Sequence, residues 1–330
     1  MTTKDGMTGW RLAMVTAVVG GTLGLLAVGI CSGQAVEQAV DKPTSENSTD
    51  NAPDNATTAD AAVPNDKRQV LDPERQKERC ETFLQQNQAA TSAKEWTAVV
   101  EAIERDLATY QYLTNYEAYL KTLAAFALNR RGESRMEIGF EFALVGNQGP
   151  MDQAFDQALS DFDRAIAFNS AQWKAHANRG IVLGKRRQWD AAAEAFQKSI
   201  GARPGQTHAY FNLAEIEYQQ GRYSEAIENY GKVLATSPND VQALNGQALC
   251  LIADGRGAEA IPILEELVKQ RGNEAWLLAN LGDAYQSQGE WEKADLTYLR
   301  GLELEQHSGL YRRLAWLYAT CPDPQWNRPE

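Results

Sequence analysis

Small and large apolar side chains recur at one fixed interval through the second half of the chain. Alanine returns at every thirty-fourth position, and a large apolar or aromatic residue follows each alanine by four positions. Residues three and four apart share one face of a helix, so these columns predict helices with a single buried stripe. The alanine column is Ala158, Ala192, Ala226, Ala260 and Ala294, and the large column is Phe162, Phe196, Tyr230, Leu264 and Tyr298.

Each repeating unit is predicted to contain two helices joined by a tight turn. Glycine stands five residues before three of the alanines, at Gly221, Gly255 and Gly289. A left-handed glycine is the commonest way to end a helix, and Pro204 and Pro238 then stop the second helix of two units. A very small residue twelve positions before alanine lets the paired backbones approach closely, at Gly180, Ala214, Ala248 and Gly282. A period of this length indicates stacked helix pairs, which typically act as binding surfaces.

These columns resemble the tetratricopeptide repeat. The best match is residues 275–306, where Leu281, Gly282, Tyr285, Gly289, Ala294 and Tyr298 occupy the family's places. The resemblance implies an all-α solenoid of antiparallel helix pairs over residues 125–330. Its expected parts are an interrupted repeat at 125–171, repeats at 172–205, 206–239, 240–273 and 274–307, and a capping helix at 308–320.

Two repeats depart from the pattern. In the first, Gly132 precedes Ala158 by more than twice the usual twelve positions. An insertion is therefore expected around 139–151, where Gly149 and Pro150 suggest a loop. Alternatively, Gly146 stands twelve positions before Ala158 and marks a degenerate first helix in register.

Proline also interrupts the weakest repeat. Pro262 falls inside the predicted second helix of 240–273, and is expected to kink or shorten it. Residues 73–124 predict further helices, since Trp96, Val99 and Ile103 keep helical spacing. They form either an irregular repeat pair or a capping helix.

The N-terminal segment, residues 1–72, differs from the rest of the chain. Within 1–35, residues 12–30 carry no charge, which predicts either a retained transmembrane anchor or a cleaved signal peptide. The length favours the anchor, and hence a single-pass membrane protein with an exported C-terminal domain; cleavage would leave it periplasmic or secreted. Residues 36–72 predict a disordered acidic linker, because 36–66 hold seven acids and one base.

Charge and side-chain chemistry narrow the function. A net charge of −12 argues against a nucleic-acid partner. Cys80, Cys250 and Cys321 are widely separated and predict free or buried thiols. No metal-ligand spacing or nucleophile motif occurs, so we expect no catalytic residues, no metal and no cofactor. An enzyme with a site in residues 76–124, near Glu101 or Glu104, is the least favoured class.

The resemblance implies that the first helices line a concave groove that binds a protein or peptide. Lys174 and Asn245 lack the partners with which some family members grip a terminal carboxylate. Aromatic and acidic side chains instead predict an extended ligand with apolar and basic side chains, although Phe211 and Trp276 could pack against neighbouring helices. The alternative is an accessory subunit of an envelope assembly or secretion complex. The groove candidates are Lys174, His208, Phe211, Glu215, Tyr218, Asn245, Trp276 and Asp283.

Overall fold

The structure of the chain is a computed structural model that describes residues 67–272, 274–306 and 308–322. These residues form thirteen helices and one parallel pair of two-residue strands. The strands are β1 (Gln69–Val70) and β2 (Tyr110–Gln111). The first five helices are α1 (Pro73–Ala89), α2 (Ala93–Thr109), α3 (Thr114–Leu144), α4 (Gln148–Phe168) and α5 (Trp173–Lys185). The others are α6 (Trp189–Ala202), α7 (Thr207–Gln219), α8 (Tyr223–Thr236), α9 (Val241–Ala253), α10 (Gly257–Arg271), α11 (Ala275–Ser287), α12 (Trp291–Leu304) and α13 (Ser308–Thr320).

The chain divides into two compact units, one ending at Val182 and the other beginning at Leu183, near the end of α5. We call them the N-terminal unit and the C-terminal unit. The predicted apolar segment 12–30 and most of the predicted linker lie outside the described residues. Within the residues that are described, no helix is long and apolar enough to cross a membrane.

The N-terminal unit begins with two capped helices. Asp72 accepts a hydrogen bond from the backbone of Arg75 at 2.9 Å, and Ser92 with Glu95 forms a capping box at the start of α2. Such caps satisfy amide groups that the first helical turn leaves unpaired. The linker is shorter than predicted, because residues 69–70 pair as β1 and Leu71 is buried.

The predicted loop at 139–151 is wrong, and so is the degenerate helix placed at Gly146. The inserted residues instead extend α3 to 31 residues and α4 to 21, leaving a short turn at 145–147. Gly146 belongs to that turn, with φ of 68°. A Cβ at Gly132 would lie 2.5 Å from the ring of Phe162, and one at Gly139 would lie 2.4 Å from the ring of Phe155.

These two contacts explain how the long hairpin keeps its packing. Gly132 and Gly139 are seven positions apart, as are Phe155 and Phe162. Seven positions are close to two turns of helix, so both members of each pair lie on the same face. The insertion therefore lengthens each helix by about two turns and leaves the buried faces of the two helices aligned.

Ordinary repeat hairpins build the C-terminal unit. Each of α7, α9 and α11 packs against the helix that follows it, and these first helices also contact one another in succession, with α13 contacting α11. The predicted left-handed turns are present, because Gly221, Gly255 and Gly289 have φ of 74°, 78° and 75°. Arg187 occupies the same column one repeat earlier and has φ of 59°.

The predicted columns form the core of this unit. Ala226, Ala260 and Ala294 are fully buried, and Tyr230 and Tyr298 are almost fully buried. The expectation that Pro262 shortens its helix is wrong, since α10 spans 15 residues with the proline inside it. All three described cysteines are free thiols and buried, as predicted.

Candidate peptide-binding face

The first helices of the C-terminal unit form a continuous layer, which we call the first-helix face: α7, α9, α11 and α13. Seven of the eight predicted groove residues belong to these helices. Lys174 belongs to α5 in the N-terminal unit, where its Nζ lies 5.5 Å from the centre of the Trp173 ring.

Phe211 is a core residue of the hairpin instead of an exposed anchor. Its side chain is 8% exposed, and its ring meets that of Tyr230 edge to face with the centroids 5.6 Å apart. Aromatic pairs of this geometry stabilise a fold beyond the area that they bury. Of the two interpretations left open by the sequence, packing against the neighbouring helix is the one observed.

Three other candidates remain accessible to a ligand. Trp276 is 42% exposed, and its indole Nε1 donates a hydrogen bond to Glu274 at 2.7 Å. His208 is exposed at the start of α7. Tyr218 is half-buried, with its ring centre 5.7 Å from that of Tyr223. An exposed indole fixed by a hydrogen bond is the kind of rigid, amphipathic side chain that binding sites favour.

Glu215 is half-buried, and its carboxylate has one described partner. It accepts a hydrogen bond from the Tyr230 hydroxyl, and no cation pairs with it among the residues that the structure describes. Burial raises the pKa of Glu215 to about 7, although the hydrogen bond from Tyr230 favours the charged form. Glu215 therefore titrates near neutral pH, unlike a surface carboxylate.

Asp283 stands at the equivalent position two repeats later, but its carboxylate is neutralised. Nε of Arg313 lies 2.9 Å from both carboxylate oxygens, and the Tyr298 hydroxyl donates to Oδ1 at 2.7 Å. The sequence prediction treated Asp283 as an acid open to ligand and missed Arg313. The sequence feature that could have predicted this pair is the basic residue thirty positions later, on the next first helix.

Asn245 lies on α9 and is tied to the next repeat. Its Oδ1 accepts a hydrogen bond from Nδ2 of Asn280 at 2.7 Å. Asn212 lies in the same column as Asn280 and is buried. Its Nδ2 donates to the His208 carbonyl at 2.9 Å, while its Oδ1 has no partner among the residues that the structure describes. The Asn280–Asn245 bond therefore links α11 to α9, whereas the Asn212 bond lies within α7.

Over residues 67–272, 274–306 and 308–322, no group of three or more histidine, cysteine, aspartate or glutamate side chains could hold a metal ion. Glu104, one of the two carboxylates considered for catalysis, is paired with Arg164 at 2.5 Å. His176 is buried, with Nε2 3.0 Å from the Ser170 carbonyl.

Comparisons with known proteins agree with this architecture. Family models described as tetratricopeptide repeat match residues 153–207, 178–241, 211–275 and 251–317, which together make up half of the chain. No curated protein sequence matches the chain.

Several solved structures are similar in part. MamA from Desulfovibrio magneticus RS-1 is 18% identical with a TM-score of 0.46, covering 53% of this chain and 95% of its own. YrrB, described as a TPR protein with an unusual peptide-binding site, is 18% identical with a TM-score of 0.45, covering 57% and 96%. The pilF protein of Pseudomonas aeruginosa is 17% identical with a TM-score of 0.45, covering 59% and 86%.

Proposed function

Because the chain belongs to the tetratricopeptide-repeat family over residues 153–317, we propose that it is a scaffold that binds another polypeptide on its first-helix face. Repeat folds of this kind present extended surfaces and lack the enclosed pocket that most reactions need. The observation that carries the proposal is the combination of an exposed indole, Trp276, with the half-buried and cation-free carboxylate of Glu215 in the described part of the chain.

The expected ligand is an extended segment with apolar and basic side chains. Trp276 and Tyr218 offer aromatic surface to apolar groups. Glu215 offers a negative charge to a basic group. Apolar contacts would supply most of the affinity, since buried aromatic anchors dominate most interfaces, while the charge would select the partner.

We further propose that the scaffold acts on the exported side of a membrane, held by residues 12–30. That proposal rests on the charge-free run and the acidic stretch that follows it. Alkaline extraction of membranes tests the anchor, because a spanning helix stays with the lipid after extraction. N-terminal sequencing of the mature chain then separates a retained anchor from a cleaved signal peptide.

Site-specific photocrosslinking in the producing cells tests the binding face. A photoreactive amino acid replaces His208 or Trp276 on the first helices, and Glu228 or Leu299 on the second helices serves as the matched control. All four positions are exposed, so exposure alone does not decide the result. We expect a discrete crosslinked partner from the first pair only. Equal crosslinking from both pairs, or crosslinking from the control pair alone, would show that the face is misassigned.

One feature favours the second candidate function, an accessory subunit with a permanent interface. The turn end of the long α3–α4 hairpin exposes Ile138, Leu144 and Val145 by 42%, 57% and 76%. Clustered exposed apolar side chains often mark a protein interface. This function predicts that the full chain purifies in fixed ratio with a partner, and that Leu144→Ser with Val145→Ser releases it.

A further inference from the structure

Two carboxylates occupy the same place in the repeat and differ in one respect. Glu215 and Asp283 stand two repeats apart, and each accepts a hydrogen bond from the tyrosine of its own hairpin. Asp283 also binds the Arg313 guanidinium. Glu215 has no such cation in the described part of the chain.

The residue that decides this difference lies on the next first helix. Arg313 on α13 follows Asp283 on α11. Asn245 on α9 follows Glu215 on α7 at the same spacing along the chain. Asn245 therefore stands where the cation would come from, and its Oδ1 is engaged by Asn280 at 2.7 Å. The fold supplies an internal guanidinium to Asp283, whereas the corresponding position for Glu215 on the next first helix is an asparagine.

We propose that Glu215 is the subsite for an arginine side chain of the bound polypeptide, and that the Asp283–Arg313 pair is an internal copy of the same interaction. This inference rests on the proposed function and specifies what part of the ligand the face selects. The internal copy shows the geometry that this framework accommodates: a guanidinium nitrogen 2.9 Å from both carboxylate oxygens, beside a tyrosine hydroxyl. Guanidinium is the cation that the fold itself places on the equivalent carboxylate, and it stays charged at every physiological pH.

The surroundings of Glu215 favour a cation. The titratable groups that face it are Tyr230 from α8, Cys250 from α9 and Tyr218 from its own helix. Burial raises the pKa of all three, and the charge of Glu215 raises it further, so they stay neutral at physiological pH. No charge from α6, α8 or α9 influences Glu215 among the described residues, so a bound guanidinium would be its first counterion.

The proposal predicts a pH dependence of binding. An arginine side chain needs the ionised carboxylate, whose pKa is about 7 without a cation. Affinity should therefore rise between pH 6 and pH 8, and binding should release a proton. Asp283 is already paired, so it should not contribute to this change.

Exchanging Asn245 and Arg313, the residues on the next first helices, provides the test. The probe is a blocked hexa-arginine peptide, with hexa-citrulline as the neutral isostere and hexa-lysine as the ammonium equivalent, titrated calorimetrically into the full chain at pH 8. Asn245→Arg should fill the Glu215 subsite from within, and so should weaken hexa-arginine binding about tenfold or more, the loss carried by one charge-assisted contact. Arg313→Asn should open Asp283 and add a second binding event.

A matched control separates this subsite from the general negative charge of the chain. Glu228→Gln removes one acid from α8, whose side chain is 71% exposed, and should leave hexa-arginine binding unchanged. Glu215→Gln should weaken it as strongly as Asn245→Arg does. Tighter binding of hexa-lysine than of hexa-arginine would overturn the choice of guanidinium.

The central result is the response to the two variants at the Glu215 subsite. Wild-type affinity in both Asn245→Arg and Glu215→Gln would overturn the inference. If photocrosslinking still maps a partner to the first-helix face, the scaffold function survives that outcome; if it does not, both fail.

Discussion

Replacing Glu215 with glutamine should stabilise the folded chain at pH 8. The carboxylate is half-buried and accepts a hydrogen bond from a tyrosine hydroxyl, with no cation paired to it among the described residues, so its ionised form is penalised in the folded state. A neutral amide of the same shape can still accept that hydrogen bond. The variant therefore removes an unfavourable charge and keeps the contact.

The magnitude follows from the change in pKa on folding. A rise from the ordinary value of 4.5 to about 7 corresponds to roughly 3 kcal/mol, since one pKa unit is about 1.4 kcal/mol. Residual contact with water reduces this, so we expect roughly 1–3 kcal/mol at pH 8. Because the folded pKa of Glu215 lies above the unfolded one, the destabilisation that its charge causes is absent below about pH 4.5. It grows as the pH rises towards 7 and is then constant.

Urea unfolding of the full chain at pH 8 and pH 5 checks this prediction. The gain in free energy of unfolding should shrink to under about 1 kcal/mol at pH 5, where the folded carboxyl is protonated. Glu228→Gln is the control, because it makes the same charge change at an exposed ion pair and should leave the free energy of unfolding nearly unchanged. A loss of stability for Glu215→Gln at pH 8 would refute the reasoning, since it would mean that the folded state stabilises the ionised carboxylate.

Four further substitutions probe the fold, each measured by thermal or urea unfolding of the full chain. Arg187→Gly should raise stability by about 1 kcal/mol, because arginine at φ of 59° is held in a region that favours glycine. Pro262→Ala should raise it by about 1–3 kcal/mol by restoring a backbone hydrogen bond inside α10, with added amide exchange protection there. Ala226→Leu should lower it by about 1–3 kcal/mol, because the fully buried site has no room for the larger side chain. Asp161→Asn should lower it by about 3–5 kcal/mol, because the buried Arg131 would keep its charge without its counterion.

The repeat period was the part of the structure most accessible from the sequence. Small residues at Ala226 and Gly282 and large ones at Tyr230 and Tyr298 are each required by close helix packing, and their spacing repeats. The turns at the repeated glycines could be predicted equally well, because φ near 75° excludes most other residues. The left-handed turn at Arg187 could not be predicted from the residue type, because the turn tolerates a residue other than glycine at some cost in stability.

The loop predicted within the long α3–α4 hairpin was wrong for a physical reason. Glycine and proline predict a loop, but Gly139 lies in mid-helix, where the Phe155 ring leaves no room for a Cβ. Gly149 and Pro150 lie in the first turn of α4, where backbone amides have no helical partner and proline is tolerated. A glycine that permits close packing and a glycine that permits a turn look identical until the partner helix is known.

The candidate site could be located from the sequence but not resolved into its functional parts. Glu215 and Asp283 look alike because each is an acid at the same place in a first helix. What distinguishes them lies on the following first helix, at Asn245 and Arg313, and Arg313 reaches its carboxylate because successive first helices stack. In this stack, the role of such an acid therefore depends on the residue about thirty positions later, on the next first helix. A basic residue there pairs with the acid and makes it structural, whereas a neutral residue leaves the acid available to a ligand. Exchanging Asn245 and Arg313 should therefore exchange the roles of the two acids, so that Asp283 becomes available to a ligand and Glu215 becomes structural. The acids alone would not predict this result.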